Sequence, residues 1–120
     1  MIDLNRARLV HMKWLRQMEG ALSQGKIPKM ERHEKCDLGR WIYREGMSEL
    51  GERPAMLELE RKHRRFHATA DEMVGLFRIK NYVEAEVLLR ELDRESKDLI
   101  FLLTRIEYDR LLEGDPEALP

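Results

Sequence analysis

The sequence predicts an all-α protein, an antiparallel four-helix bundle with an additional short helix carrying a cysteine. Two observations predict it. Apolar residues recur at intervals of three and four along most of the chain, and no stretch alternates with the period of two that a strand requires. Breaks are few: four prolines and seven glycines among 120 residues, most of them gathered at a handful of places where helices would have to end.

The first helix is expected from about Asp3, as N-cap, to about Ser23. Its inner stripe is Leu4, Ala7, His11, Trp14, Met18 and Ala21 or Leu22. Gly25 and Pro28 bracket the break that follows. A short helix is expected from about Asp37 to Glu45, with Leu38, Trp41 and Ile42 facing inward and Gly46 supplying a left-handed stop. Gly51 and Pro54 mark the second break, and Pro54 suits the first turn of the third helix. That helix carries Met56, Leu59, His63, Phe66 with His67, Ala70, Met73 with Val74, and Phe77 on one face. Asn81-Tyr82-Val83-Glu84 reads as the start of the fourth helix, in the manner of a capping box. Its apolar residues are Val83, Val87, Leu88, Leu92, Leu99, Leu102, Leu103 and Ile106, running toward about Leu112. One domain is expected over residues 1–113, followed by a flexible acidic tail over 114–120.

Bulk properties exclude several classes of function. The chain has the length of one domain with its own core. Charged residues make up 38 %, but 22 basic side chains meet 23 acidic ones for a net charge of -1. That balance gives no general attraction to nucleic acid or to anionic lipid. The single cysteine cannot form an internal disulfide, which points to a reducing, cytoplasmic setting. No apolar run approaches the roughly 18–20 residues that span a bilayer, so direct membrane insertion is not expected.

The chemistry lies in His11, Cys36, His63 and His67. His63 and His67 are four apart, one turn apart on a helix, and share its apolar face. His11 sits on the apolar face of the first helix. Burying three imidazoles costs free energy unless each nitrogen finds a partner, and the two stripes place no carboxylate near them. One thiolate and three imidazoles are the donors of a closed tetrahedral site for Zn2+. Cys36 at the start of the short helix is expected to gain thiolate character from backbone N–H groups. Gly39 would let that helix approach a neighbour closely, and Trp14 and Trp41 would wall the ion from water. His33, in the charged run Glu31-Arg32-His33-Glu34-Lys35, reads as a solvated loop residue. His63 to His67 lacks the general base of a metalloprotease, since Arg64 follows His63. Four protein ligands also leave no open position for a catalytic water, so no enzyme is expected.

These residues form one ordered pattern: His-x-x-Trp, 21 residues, Cys-x-Leu-Gly-x-Trp, 21 residues, His-x-x-x-His. Here the specified positions are His11, Trp14, Cys36, Leu38, Gly39, Trp41, His63 and His67. In this the chain resembles the chemoreceptor zinc-binding domain family, from about Asp3 to about Glu107. The resemblance implies a cytoplasmic bacterial sensory domain that holds one zinc ion through His11, Cys36, His63 and His67. It further implies a report of zinc availability or of oxidation at the cysteine to a chemotaxis receptor or a diguanylate cyclase, commonly from a homodimer. No receptor coiled coil and no cyclase domain occurs within the 120 residues, so a free-standing copy signalling to a separate partner is expected. The apolar run Leu99 to Leu103 faces more than one direction, as a contact with a second copy would require. A purely structural zinc in a protein-interaction module is the alternative.

Overall fold

Helices form every regular element in the computed structural model, which describes residues 4–27 and 31–114. The expected cap at Asp3, the break at Pro28 and the tail beyond Gly114 lie outside the described residues, as do the side chains of Leu4 and Ala7. In chain order the elements are α1 (Leu4–Ser23), α2 (Asp37–Trp41), a π-helical turn (Ile42–Gly46), α3 (Met47–Leu50), α4 (Pro54–Arg78) and α5 (Tyr82–Leu112). The segment from Asp37 to Leu50 is thus one short, continuous helical arm between two long helices.

Local chemistry sets the ends. Gly25 adopts φ 72°, and beyond it the N–H of Lys26 reaches the Ala21 carbonyl at 2.9 Å. This closes α1 with a left-handed residue at its C-terminus. α4 closes the same way at Lys80 (φ 61°), where a side chain stands in the conformation glycine prefers. The Asn81 N–H bonds to the Leu76 carbonyl at 2.9 Å. Asn81 then caps α5 by accepting from the Glu84 N–H at 3.4 Å, so a three-residue link reverses the chain.

α4 and α5 run antiparallel. Lys62 pairs with Asp98 at 3.4 Å, Thr69 donates to Glu95 at 2.9 Å, and Arg53 joins Glu113 across the far end at 2.5–2.7 Å. α1 lies antiparallel along α5, held by Arg8 to Thr104 at 3.1 Å and to Glu107 at 3.4 Å. The core joins Met56, Leu59, Phe66, Ala70 and Met73 of α4 to Leu92, Leu99, Leu103 and Ile106 of α5, with Leu15 and Met18 of α1 and Leu38, Ile42 and Leu50 of the short arm.

Two sequence expectations change. Val83 and Val87 are exposed; at 100° per residue they lie roughly 180° and 140° from Leu92, and Ala85 takes the inward place. Gly46 does not stop the short helix: its φ is -59°, and helical structure continues to Leu50. Its lack of a side chain serves packing, because a Cβ there would meet the Met56 Cε at 2.6 Å.

Gly39 does permit the expected close approach, and the neighbour is the preceding loop. A Cβ on Gly39 would lie 1.7 Å from the carbonyl oxygen of His33, so the loop and α2 fit only without one. Gly75 of α4, by contrast, has open space around that position. Urea denaturation should therefore show Gly39→Ala losing at least about 1 kcal/mol, while Gly75→Ala gains about 0.5–1 kcal/mol from the better helix former. Equal effects of the two substitutions would refute the close approach.

Candidate metal centre

Cys36 is the N-cap of α2. Its backbone is extended (φ -69°, ψ 161°), which turns the side chain back over the helix start, where Sγ accepts from the Gly39 N–H at 3.2 Å. The apolar face of α4 presents His63 and His67 one turn apart, their ring centroids 4.7 Å from each other and nearly perpendicular. Cys36 Sγ lies 3.2 Å from His63 Nε2. One donor atom each from Cys36, His63 and His67 falls within 4.8 Å of the other two.

That spacing fits a tetrahedral ion. Zinc holds sulfur at about 2.3 Å and imidazole nitrogen at about 2.0–2.1 Å, which sets neighbouring donors roughly 3.4–3.6 Å apart. The hydrogen bonding around the donors fits as well. His67 Nδ1 donates to the Glu31 carbonyl at 3.1 Å, so the neutral ring carries its free lone pair on Nε2. His63 Nδ1 is buried without a partner, an omission worth about 1–3 kcal/mol. Glu60 stands three residues before His63, but its carboxylate accepts from Tyr43 at 2.7 Å and pairs with Arg64 at 3.1 Å. A di-iron bundle would need two such Glu-x-x-His pairs directed inward.

Burial dominates the electrostatics. It pushes His63 down to about 2 and His11 down to about 4, with His67 the next cause in both. His67 is also lowered by burial, opposed in part by its bond to the Glu31 carbonyl. All three rings are therefore neutral, the form that binds a metal. The backbone N–H groups of Gly39 and Leu38 act on the Cys36 thiol in the expected direction, but burial outweighs them and raises it.

Of the four expected ligands, three come together and one stands apart. His11 is buried, but its Nε2 is 2.9 Å from Ser96 Oγ on α5 and its ring packs on Phe66 at 4.7 Å. A cavity of about 380 Å³ is lined by His11, Trp14, Cys36, Phe66 and His67 among others, so it borders both His11 and the three-residue cluster. Trp14 lies beside the cluster, 5.8 Å from His67 and 5.3 Å from Phe66, where it lines the cavity. Ser96 was the partner sequence reasoning missed; its signal is a lone small hydroxyl in the buried row Ala85, Leu92, Ser96, Leu99, Leu103.

His33 is a second departure. It is half-buried, not solvated, and its ring lies 6.4 Å from each of His63 and His67. Its Nδ1 is 3.2 Å from the Glu34 carboxylate, and its carbonyl accepts from Cys36 Sγ at 3.5 Å.

Among curated proteins and among solved structures nothing matches the chain. The family model of the chemoreceptor zinc-binding domain matches residues 11–74, more than half of the 120. The match opens on His11 and takes in Cys36, His63 and His67. The chain therefore belongs to the chemoreceptor zinc-binding domain family.

Proposed function

We propose that this protein is a cytoplasmic zinc-responsive regulatory domain that reports the occupancy of one His3Cys site to a signalling partner of chemoreceptor or diguanylate cyclase type. The observation that carries this reading is the convergence of Cys36, His63 and His67 within 4.8 Å in an interior that pairs none of the imidazoles with an acid. Cys36, His63 and His67 would hold the ion, and His11 would supply the fourth donor on leaving Ser96. Bound there, zinc supplies a cross-link between separate helices and satisfies buried donors together. No catalytic step is assigned to these residues.

The chain's own groups make occupancy legible outside the site. Cys36 fixes the start of α2, His63 and His67 belong to α4, and His11 belongs to α1. Without a shared partner, the 31–36 loop is tied to α4 by the bond of His67 to the Glu31 carbonyl and by the contact of Cys36 Sγ with His63 Nε2. Arg8 and the bond of His11 to Ser96 are among the polar links of α1 to α5. Shifts of α1 and the loop are what a docked partner would read. A second copy of the chain is one such partner, and Phe101 and Tyr108, exposed on α5, suit that contact.

An oxidant input is a second reading, favoured by the half-burial of Cys36 beside the open cavity. Hypochlorous acid would convert the thiolate to sulfenic acid with release of chloride, sulfur losing two electrons to the chlorine. The product is a poorer metal ligand. Structural zinc alone, in an interaction module, would instead be held too tightly for any such change.

Three measurements test these readings. Metal analysis of the purified protein should give one zinc per chain, falling to none in His63→Ala, and a strong chelator should lower the melting temperature of the wild type but not of that variant. Zinc-free behaviour identical to zinc-bound behaviour in melting and hydrogen exchange would end the sensory reading. Because burial keeps the Cys36 thiol protonated and the histidines neutral, zinc binding at pH 7 should release about one proton. Calorimetry in buffers of differing ionisation enthalpy measures that number, and a value near zero would contradict it. Hypochlorous acid should release zinc from the wild type, and equal release from Cys36→Ser would exclude the thiol as the trigger.

A further inference from the structure

We propose that His33 is an alternative fourth zinc donor: it completes the Cys36, His63 and His67 set while His11 remains on Ser96, and the two histidines exchange at that position. The inference rests on the zinc reading above and deepens it.

Geometry supports it first. Two imidazoles on one tetrahedral ion have ring centroids about 5 Å apart, given nitrogen bonds of about 2.0–2.1 Å. His63 and His67 already meet this at 4.7 Å. The His33 ring is 6.4 Å from both, so it sits evenly beside the pair and needs to move little more than an ångström. His11 has its Nε2 committed to Ser96 and its ring packed on Phe66.

Hydrogen bonding supports it independently. The Glu34 carboxylate lies 3.2 Å from His33 Nδ1. A carboxylate there holds the proton on Nδ1 and leaves the Nε2 lone pair free, the arrangement that accompanies most metal-bound histidines. His33 is also tied by its backbone to the cluster. Its carbonyl accepts from Cys36 Sγ, and the same oxygen is the one against which Gly39 has no room for a side chain. The close fit at Gly39 holds the His33 backbone against α2 beside the thiol, and it remains when Cys36 is a thiolate.

The consequence is a site with two closed forms. With His33 in the fourth place, the cross-link joins the loop, α2 and α4 and leaves α1 on Ser96. With His11 there, α1 is drawn off Ser96 and into the link. Zinc could then stay bound while the position of α1 changes.

Zinc affinity, measured by competition with a chromophoric chelator, tests this through His11→Gln, His33→Ala and the double variant. The glutamine amide can keep the bond to Ser96, and circular dichroism checks the fold. In the His11→Gln background, His33→Ala should weaken zinc binding at least tenfold, and in the wild-type background by less, because either histidine can serve. Equal affinity of His11→Gln and the double variant would overturn the proposal. Failure of the wild type itself to bind zinc would overturn the function above as well, so the two failures are distinguishable. Should His11→Gln not fold, His33→Cys decides the matter with His11 intact. A thiolate reaching the ion should raise the sulfur-to-cobalt charge-transfer absorption of the cobalt protein toward twice the wild-type value, and an unchanged spectrum would overturn the proposal.

Discussion

Imidazole buried without an acid to pair with it is the constraint on which the rest of this structure depends. His11, His63 and His67 all lie in the interior, and burial alone removes their ability to carry charge near neutral pH. A helical core gives such rings few partners, because its backbone groups are spent within the helices. The chain meets the demand unevenly. Ser96 serves His11, the Glu31 carbonyl serves His67, and Cys36 serves one nitrogen of His63 while the other has none. These partners come from α5 and from the 31–36 loop that leads into α2, so the three side chains tie α1 to α5 and that loop to α4.

Much of this was legible in the sequence because helices advertise their buried face. The α4 stripe from Met56 to Val74 is buried residue for residue as its three-and-four spacing implies, and the bounds of α1, α4 and α5 follow from Gly25, Pro54 and Asn81. The same rule misled only where apolar identity was followed in place of angle, as with Val83 and Val87. Glycine was harder to read. Gly46 looked like a stop because glycine favours the left-handed region, yet it is helical and makes room for Met56. A sequence does not distinguish a glycine needed for its backbone from one needed for its missing side chain.

The site was legible in composition and less so in arrangement. Spacing alone brings His63 and His67 together, since both sit on one helix. Placing Cys36 beside them required the motif, and the sign of its thiol's shift required the structure, because burial and helix N–H groups act in opposite directions there. His11 and His33 escaped for a common reason. Their placements depend on contacts with Ser96 and Glu34, polar side chains whose importance comes only from what faces them. A charged run such as Glu31 to Lys35 reads as solvated because its residues are hydrophilic. Here the close approach at Gly39 folds it over the cluster instead.

Strength of attachment decides which part of the molecule can respond. α4 and α5 are joined by a three-residue turn, a continuous apolar seam and charged or hydroxyl links at Thr69, Lys62 and Arg53. Contacts between elements adjacent in sequence form at small cost in chain entropy, and none of these links involves the Cys36, His63 and His67 side chains. α1 is different. Its polar links to α5 include Arg8, whose pairing with Glu107 is partly exposed and therefore weak, and the bond of His11 to Ser96. Such a bond between neutral groups contributes about 0.5–1.5 kcal/mol, whereas a structural zinc site contributes roughly 10 kcal/mol or more. Roughly a tenth of the ion's binding free energy is enough to outweigh the bond that holds His11. The exchange proposed for the fourth donor therefore turns on the His11 imidazole, which a bond of that strength holds on Ser96.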